Sequence, residues 1–521
     1  MSVISRNRRR ISIGMTSTLS AFILALVFTL SSGALTFAAG LVQISSDPFT
    51  NNTSNHKTEV EPDTFAFGNT IVSAFQQGRF FDGGGSDIGF ATSTDGGAHW
   101  THGSLPSATV NSTPPNPTYA RASDASVAFD AKHNVWIISW LGLRPPVPSI
   151  VDVLVSRSTD GGLTWGTPVV VNASGDFNDK NWTVCDDTAS SPFYGNCYTE
   201  FDDFTKLNLV QMSTSTDGGL TWGAAKTTPD NTCVIGGQPV VQPNGTVIVP
   251  IDDCLETSIL SFRSTDGGNT WSKAVLAAQL LNDGHPGAIR SPDLPSAEID
   301  SSGRVYVTWT DCRTENFCNS GNNDLLLITS DDGITWSLPK RIPTSSVGSG
   351  VDILIPGLAV DRSTSGSSAH LAVVYYSFPS INCNATGTAN TPKCLLNVGF
   401  LTSTNGGDSW SSPVQLAGPM TLTWLPLTTQ GFMVADYLST SIVPGAANAT
   451  PVFEVASEPT IGKTCTNIKT GAPGSHCNQA TFTSLQALAG GPNAATTVSA
   501  SVSSQAQLNA KSTSSSRKTA F

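Results

Sequence analysis

The sequence predicts an all-β protein, a β-propeller built from four-stranded antiparallel blades, and three observations lead to this prediction. An eight-residue motif that ends in tryptophan, STDGGLTW at 158–165, recurs along the chain. Three β-rich runs with nearly alternating apolar residues precede each copy, and one such run follows it. No helical periodicity is found after the N-terminal segment. A repeat that holds four short strands and their turns is typical of a propeller blade.

The motif itself is predicted to be a structural turn. The same eight letters return at 215–222, and looser copies are STDGGAHW (93–100), STDGGNTW (264–271), TSDDGITW (329–336) and STNGGDSW (403–410). Aligned on the tryptophan, the copies place an acid or its amide at Asp95, Asp160, Asp217, Asp266, Asp331 and Asn405. Asp and Ser side chains bond nearby backbone amides, and glycine supplies the positive φ of a tight turn. We expect each copy to join the third and fourth strands of a blade and to bury its tryptophan.

The number of blades follows from the motifs and from the runs that lack one. Six motifs predict blades at 57–106, 120–172, 179–227, 233–277, 291–343 and 352–416. Beyond them, GFMVADYLSTSI, PVFEVASEP and ATFTSLQAL supply three more strand-like runs, and LVQISSDPF near the start could be their fourth strand. Closing the ring in this way would remove an open sheet edge. We predict seven blades, with six as the alternative.

The two ends of the chain differ from the rest. Four arginines, an apolar run over 19–30 and small residues at Ala38 and Ala39 follow the order of a secretory signal peptide. After residue 489 the chain is rich in Ser, Ala and Thr and has few large apolar residues. We therefore predict a signal peptide over 1–39, the propeller domain over 40–489 and a disordered tail over 490–521. The protein would be secreted, with no transmembrane span after signal cleavage.

The cysteines indicate an oxidising compartment. All ten follow residue 39 and fall into close neighbours, namely Cys185 with Cys197, Cys233 with Cys254, Cys312 with Cys318, Cys383 with Cys394 and Cys465 with Cys477. Sequence alone does not determine connectivity, but each sequential pair brackets one short loop, so we expect five sequential disulfides. Zinc-like CxxC or Cys/His spacing is absent, and we expect neither a metal centre nor a cofactor.

The charge balance narrows the class of partner. The chain carries a net charge of −12 and has a pI near 4.9. Nucleic acids and anionic membranes attract basic surfaces. We therefore expect no nucleic-acid partner, and we expect a monomer.

In a propeller, the loops that enter the innermost strands share one face with the loops between the second and third strands. The entering loops carry Glu59, Glu61, Asp63, Arg121, Asp124, Asp179, Lys180, Arg290, Asp293, Asp352, Asp436 and Tyr437. The other loops carry Arg79, Asp82, Arg144, Glu200, Asp202, Asp203, Asp311 and Arg313. Five of the eleven arginines after residue 39 lie in these two sets. Guanidinium groups suit bidentate binding of a carboxylate, although each arginine could instead pair with a neighbouring acid, as Arg290 could with Asp293.

The pattern S-x-D-x-G-x-T-W resembles the Asp-box (BNR) repeat of the sialidase superfamily, and it covers nearly the whole chain after residue 39. This resemblance implies a secreted exo-α-sialidase-type glycoside hydrolase that acts on terminal acidic sugars of glycans. It implies arginines that bind the sugar carboxylate, a tyrosine nucleophile activated by a glutamate, and an aspartate as acid/base. On this chain the arginine roles would go to Arg79, Arg121, Arg290 and Arg313. Tyr437 would be the nucleophile, Glu200 its base and Asp82 or Asp124 the acid.

One departure from the family supports a second hypothesis. Family members carry Arg-Ile-Pro near the first blade, whereas the triplet here is Arg341-Ile342-Pro343, after the fifth motif and on a predicted outer strand. The alternative is a non-catalytic Asp-box propeller that binds glycan or protein at the channel mouth. A glycan or glycoconjugate is the expected partner of the hydrolase. Convergence of three arginines would favour the hydrolase, and local pairing of those arginines would favour the binding protein.

Overall fold

The computed structural model describes residues 40–147, 149–388, 390–459, 464–465 and 477–489. Strands dominate these ranges, with short 3₁₀ turns at Phe204–Lys206, Pro286–Ala288, Gly366–Ser368 and Leu422–Trp424. Within the same ranges, no helix is long and apolar enough to cross a membrane. The signal peptide predicted over 1–39 and the tail predicted over 490–521 lie outside the described residues.

The first three sheets of the chain are antiparallel and follow one plan. Strand β1 (Val42–Gln43) precedes them. Sheet 1 consists of β2 (Val60–Phe67), β3 (Thr70–Arg79), β4 (Gly85–Ser93) and β5 (Thr101–Ser104). Sheet 2 consists of β6 (Arg121–Asp130), β7 (Val135–Arg144), β8 (Ile150–Ser158) and β9 (Val169–Asn172), and one residue pair, Gly85 with Ala122, links it to sheet 1. Sheet 3 consists of β10 (Asn178–Cys185), β11 (Cys197–Asp203) and β12 (Leu209–Ser215), and an isolated bridge at Lys226 occupies the fourth position.

The remaining sheets repeat this plan. Sheet 4 pairs β13 (Val234–Ile235) and β14 (Val240–Val241) with β15 (Val247–Asp253), followed by β16 (Ser258–Ser264) and β17 (Val275–Gln279). Sheet 5 consists of β18 (Ser296–Ile299), β19 (Val305–Asp311), β20 (Asp324–Ser330) and β21 (Lys340–Ile342). Sheet 6 consists of β22 (Asp352–Val360), β23 (Leu371–Phe378), β24 (Leu395–Ser403) and β25 (Val414–Thr421). A separate hairpin, β26 (Leu427–Thr428) and β27 (Gly431–Phe432), precedes sheet 7, which contains β28 (Ser439–Ile442), β29 (Asn448–Ala456), β30 (Gln479–Thr483) and β31 (Gln486–Ala487).

The N-terminal strand belongs to the last sheet. β1 pairs antiparallel with β30, with Val42 opposite Thr483. Ile44, the residue after this strand, is fully buried against Phe75 of sheet 1 and Val452 of sheet 7. The pairing predicted between the start of the chain and its last strands is confirmed.

Neighbouring sheets pack face to face. Each first strand contacts the first strand of the next sheet, in the order β2, β6, β10, β14, β18, β22 and β28, and β28 contacts β2. Across the described residues, one hydrophobic cluster lies at each junction, including the junction between sheets 7 and 1. Strand β3 shows why the apolar residues are not confined to one face, since Val72 and Ala74 pack towards sheet 2 while Phe75 packs towards sheet 7. Both faces of these sheets therefore contribute to the core.

The Asp boxes lie between the third and fourth strands of sheets 1 to 6, as predicted. In the copy at 158–165, the Ser158 hydroxyl donates to Asp160 Oδ1 over 2.8 Å, and the backbone amide of Gly162 donates to Ser158 Oγ over 2.9 Å. The backbone amide of Thr164 donates to Asp160 Oδ1 over 2.9 Å. Gly161 and Gly162 have φ values of 83° and 81°, in the region that favours glycine. The motif is thus a self-contained hydrogen-bonded turn.

The fifth box corrects the alignment on tryptophan. Here Ser330 and Asp332 occupy the two hydrogen-bonding positions, because the amides of Gly333 and Thr335 donate to Ser330 Oγ and Asp332 Oδ1. Asp331 instead forms an exposed ion pair with Arg304 over 2.7 Å. This copy is one residue shorter than the others between its serine and its tryptophan, so Asp332 and not Asp331 is its structural aspartate.

The six box tryptophans are less uniform than predicted. Trp165, Trp271 and Trp410 are buried, whereas Trp100, Trp222 and Trp336 are only partly buried. All six nevertheless pack against the hydrophobic clusters between sheets.

The five predicted disulfides are confirmed. The bonds join Cys185 to Cys197, Cys233 to Cys254, Cys312 to Cys318, Cys383 to Cys394 and Cys465 to Cys477. The first joins residues that face each other on β10 and β11. The other four lie in or beside loops of sheets 4 to 7.

Candidate functional site

A β-bulge occurs near the start of the first strand in four of the sheets, and these bulges determine where side chains of the candidate site point. The pairing register shifts at Glu61 in β2, at Asp124 in β6, at Lys180 in β10 and at Ile355 in β22. These residues have φ values of 56°, 48°, 51° and 51°, which are unfavourable for residues other than glycine. Bulges re-aim side chains, and three of the four residues are charged.

Lys180, one of these bulge residues, and Arg290 meet at Asp436, which lies just before β28. Lys180 Nζ donates to Asp436 Oδ2 over 2.5 Å. Arg290 donates from Nε to Asp436 Oδ1 over 2.6 Å and from Nη2 to Oδ2, so its guanidinium is bidentate. Burial would raise the pKa of Asp436, but Arg290 and Lys180 outweigh burial and hold that pKa well below its ordinary value. Asp436 is therefore a buried, ionised carboxylate between two cations.

Two further acids complete this charged network. Asp124 Oδ2 lies 3.5 Å from Lys180 Nζ, and Glu61 Oε1 lies 3.8 Å from Arg290 Nη2. Burial raises the pKa of Glu61 well above its ordinary value, and the charges of Asp124 and Asp436 raise it further. Burial thus favours the protonated form of Glu61, and the Gln76 side-chain amide donates to its Oε2.

A cavity of about 210 Å³ lies beside this network, and we call it the main cavity. Its charged wall consists of Arg79, Asp82, Asp124, Asp179, Lys180 and Arg290. Its apolar wall includes Leu141, Leu143, Val151 and Phe177, and the hairpin tip Thr429–Gln430 forms a third side. One water needs only about 10–15 Å³ of such volume, so the main cavity has room for a small organic ligand.

Arg79, the last residue of β3, is the unpaired cation of the main cavity. The side chain is buried, with 3% of the residue exposed. Arg79 donates to Gln76 Oε1 over 2.8 Å, while its Nε is buried without a hydrogen-bond partner. Among the described residues, no carboxylate lies within ion-pair distance of Arg79. Burial and the nearby charge of Arg290 lower the pKa of this guanidinium, and the charges of Glu61, Asp436 and Asp124 oppose that shift without cancelling it.

Asp179 is an acid on the same wall. Its Oδ1 accepts a hydrogen bond of 3.0 Å from the backbone amide of Lys180. Burial and the charge of Asp124 raise its pKa to about 6, against the opposing effect of Lys180. A carboxyl group of this kind changes its protonation state in the range of weakly acidic media.

The four predicted sugar-binding arginines are not brought together as one set. Arg79 and Arg290 both line the main cavity. Arg121 is not among the cavity-lining residues, and it donates to Asp82 Oδ1 over 2.6 Å and stacks on the Phe80 ring. Arg313 bonds Asp311, two residues away in sequence, and is not among the cavity-lining residues.

Tyr437 lies beside the charged network, behind the cavity wall. Its ring meets Trp182 edge to face, with 5.2 Å between the ring centroids, and Lys180 Nζ is 5.8 Å from the Tyr437 ring. The Tyr437 hydroxyl is buried without a hydrogen-bond partner. Burial, with the charges of Asp124 and Glu61, raises its pKa well above the ordinary value. The phenol is therefore held neutral.

The predicted base Glu200 lies on β11, where it opposes Trp182. Glu200 is fully buried, and burial raises its pKa well above the ordinary value. The Tyr437 hydroxyl has no hydrogen-bond partner, so it is not bonded to Glu200, the predicted base. The two predicted acids also differ, since Asp82 is half exposed and paired with Arg121 while Asp124 is buried next to Lys180.

Sequence reasoning assigned no role to Lys180, Asp436 or Glu61. The sequence nevertheless placed all three in the loops that enter the innermost strands, so it predicted on which face of the protein they lie. The available signal was position, because each lies just before the residues that pair regularly in its strand. Arg341 lies on β21, the fourth strand of sheet 5, and bonds Asp324, which confirms the outer position expected for the Arg-Ile-Pro triplet.

A second, smaller cavity of about 30 Å³ lies between the first strands themselves. Asp63, Gln238, Glu298, Arg362 and Ser439 contribute to its lining. Burial raises the pKa of Asp63 to about 7. This space accommodates water rather than a ligand.

Part of this chain is similar in sequence to a known protein family and to a curated protein. Residues 148–355 match the family model described as a BNR repeat-like domain. A curated sialidase of Bacteroides fragilis (strain YCH46) is 24% identical over 281 residues, which are 48% of this chain and 48% of the relative. The chain thus spans about half the length of the curated relative that it matches.

Solved structures are similar only at a low level. The Hadza microbial sialidase Hz136 is 12% identical, with a TM-score of 0.42 over 79% of this chain and 75% of that chain. A polysaccharide lyase of family PL25, an ulvan lyase, is 9% identical, with a TM-score of 0.45 over 87% and 97%. The Trypanosoma rangeli sialidase is 14% identical, with a TM-score of 0.41 over 70% and 59%. The Asp boxes, the matched domain and the sialidase relative together show that the chain is similar to proteins of the BNR-repeat sialidase superfamily.

Proposed function

We propose that this protein is a carbohydrate-active protein that binds the anionic group of an acidic sugar in the main cavity. The observation that carries the proposal is Arg79, a buried cation that lines the main cavity with an unpartnered Nε. A buried charge without a partner is costly, and an arginine fork matches a carboxylate. An anionic ligand would supply the missing partner.

The two walls of the main cavity support a sugar rather than an inorganic anion. Arg79, Lys180 and Arg290 lie on one side, and the side chains of Leu141, Leu143 and Phe177 lie on another. A sugar ring has polar edges and an apolar face of C–H groups. Binding sites of small molecules combine apolar lining with a few well-placed polar groups in the same way.

The proposed architecture is a seven-bladed β-propeller, with sheets 1 to 7 as blades. The contact of β28 with β2 and the pairing of β1 with β30 support a closed ring. The main cavity would then lie at the end of the channel opposite the Asp boxes. The signal peptide predicted over 1–39 makes the protein secreted in this proposal, and its five disulfides fit an extracellular protein.

Binding of acidic sugars is tested by titration calorimetry of the full chain with sialyllactose and with neutral lactose. We expect only sialyllactose to bind. Hydrogen bonds to a charged group are worth about 1.5–3 kcal/mol, so Arg79→Gln should lower the affinity by roughly 10–100-fold. Arg313→Gln is the matched control, because its guanidinium pairs with Asp311 away from the main cavity. Equal affinity of the two sugars, or an unaffected Arg79→Gln protein, would overturn the proposal.

Hydrolysis of a terminal acidic sugar is the second candidate function. The unpartnered hydroxyl of Tyr437, next to Lys180, favours it as the nucleophile of a sialidase-type reaction. Asp124 would then be the acid/base, because Asp82 is paired with Arg121.

The hydrolase is tested with a fluorogenic sialoside. Tyr437→Phe removes an oxygen that bonds nothing, so the variant should be at least as stable as the parent, and its turnover should be lost. Turnover that survives Tyr437→Phe rules out this nucleophile. Binding of the sialoside by the wild-type protein without turnover leaves the binding function alone.

A further inference from the structure

The hairpin β26–β27 belongs to none of the seven sheets and is fixed at two places. The backbone amide of Thr429 donates to the Phe81 carbonyl over 2.9 Å, in the loop after β3. The backbone amide of Arg290 donates to the Phe432 carbonyl over 2.8 Å, and Ile289 pairs with Phe432. The hairpin thus connects the loop that follows Arg79 with the segment that carries Arg290.

Gly431 allows this hairpin to approach the Arg290 segment closely. A Cβ atom at Gly431 would lie 2.4 Å from the Ala288 carbonyl oxygen and 3.1 Å from the Arg290 nitrogen. Its φ of 124° also favours glycine. Backbone therefore packs on backbone, which fixes the position of the hairpin relative to the site.

The tip combines a fixed backbone with free side chains. The backbone amide of Gln430 donates to Thr428 Oγ1 over 3.2 Å, and Thr428 Oγ1 donates to the Gly431 carbonyl over 2.9 Å. The side chains of Thr429 and Gln430 line the main cavity and are exposed. Within the described part of the chain, neither side chain forms a hydrogen bond. The hydrogen-bonded turn therefore presents two exposed, uncharged polar side chains at the main cavity.

We propose that Thr429 and Gln430 are the specificity-determining residues of the main cavity, which hydrogen-bond the uncharged hydroxyl and amide groups of the acidic sugar. This inference rests on the proposed binding of an acidic sugar. Arg79 takes the anionic group, which every acidic sugar has, and the tip distinguishes one acidic sugar from another. Specificity is a difference between two affinities, and the fixed backbone of the tip limits the ordering cost of binding to the rotamers of the Thr429 and Gln430 side chains.

The test measures the affinities of N-acetylneuraminic acid and of glucuronic acid for the full chain by calorimetry. Gln430→Ala and Thr429→Ala should each change the ratio of the two affinities by about fivefold or more, since one hydrogen bond contributes about 1 kcal/mol. Arg79→Gln should lower both affinities in parallel. Gln415→Ala on β25, which is not among the cavity-lining residues, is the matched control and should leave both affinities unchanged.

The outcomes separate this inference from the function on which it rests. If the wild-type chain binds neither sugar, the proposed function fails and this inference fails with it. If the wild-type chain binds but Gln430→Ala and Thr429→Ala keep the wild-type ratio, only the inference fails. A parallel loss of both affinities in the tip variants would also overturn it, because the hairpin would then only position Arg290.

Discussion

Asp87 is a buried acid whose pKa is raised by burial. The carboxyl group lies on β4 and is fully buried. Its Oδ2 accepts a hydrogen bond of 2.6 Å from the Ser112 hydroxyl, and its Oδ1 accepts one of 2.8 Å from the Ile88 amide. Burial raises its pKa to about 8 although both hydrogen bonds oppose the shift. The folded protein therefore keeps Asp87 protonated near pH 7.

We expect Asp87→Asn to flatten the pH dependence of stability. An unfolded aspartate has a pKa of about 3.9. Because the folded pKa is higher, the stabilisation is complete below about pH 4 and is lost as the pH rises towards 8. The wild-type free energy of unfolding should therefore fall more steeply than that of Asp87→Asn, by up to about 1.4 kcal/mol per pH unit. Urea denaturation between pH 4.5 and 8 measures this difference.

Asp408→Asn is the control for this experiment. Its exposed carboxylate pairs with Lys340 over 2.8 Å, and that hydrogen bond lowers its pKa. The contribution of Asp408 is lost only as the pH falls through this lowered value, so the slope above pH 4.5 should not change. Identical slopes for wild type and Asp87→Asn would contradict the role assigned to burial.

For single residues of the site, the sequence predicted the face of the protein on which they lie, because strand topology determines that face, but it did not predict their contacts. Arg79, Arg290 and Asp124 were placed on one face because they lie at strand ends, and all three line the main cavity. Arg313 stands two residues from Asp311 and pairs with it, which the spacing alone suggested. The role of Lys180 depends on a bulge in β10. A bulge of this kind has no characteristic residue type, so the sequence did not predict that role.

At the scale of elements, the Asp box was predicted well because its hydrogen bonds are local. A serine and an aspartate bond amides within four residues, so the sequence contains the whole turn. The fifth copy shows the limit, since an alignment fixed on tryptophan assigned Asp331 where the shorter turn uses Asp332. Burial of the tryptophans depends on the neighbouring sheet, which explains why Trp100, Trp222 and Trp336 are only partly buried.

We expect Trp165→Ala to destabilise the protein without changing its site. Trp165 is 8% exposed and packs on Phe90 of the preceding sheet. Truncation of a buried tryptophan costs about 3–5 kcal/mol. Leu163→Ala in the same turn should have little effect, because Leu163 is 44% exposed. Thermal and urea unfolding check the difference, and a Trp165→Ala protein as stable as the parent would refute a structural role for the box.

At the scale of the whole molecule, the sequence predicted the partner of the strand-like run near the N-terminus. Three strand-like runs without a box needed a fourth, and β1 fills that place in sheet 7. The assignment succeeded because an open sheet edge is unfavourable in a protein of this kind. The sequence could not show the hairpin β26–β27, because strands of two residues leave no periodic pattern.

We expect deletion of residues 40–45 to weaken the entire protein. The deletion removes Ile44 from its cluster, the Ile44–Thr481 backbone bond of 2.9 Å and the Ser45 side-chain contact with the Thr481 amide. Loss of the Ile44 side chain alone is worth about 2–5 kcal/mol, and the exposed edge of β30 should promote aggregation. Urea unfolding and light scattering measure both effects. Val42→Ala is the mild control, because Val42 is 41% exposed, and a deleted chain as stable as this control would count against closure by β1.

The pairing of β1 with β30 also has a consequence for biosynthesis. Ser45 and Thr481, which bond across this junction, are 436 residues apart in sequence. A ribosome makes β1 well before its partner strand, so β1 stays unpaired while the sheets between them are translated. A shortened product that ends before residue 479 would contain every side chain that lines the main cavity and would still lack this seam. Such contacts between distant parts of a chain form slowly, so we expect the main cavity to become stable only after β30 has been made.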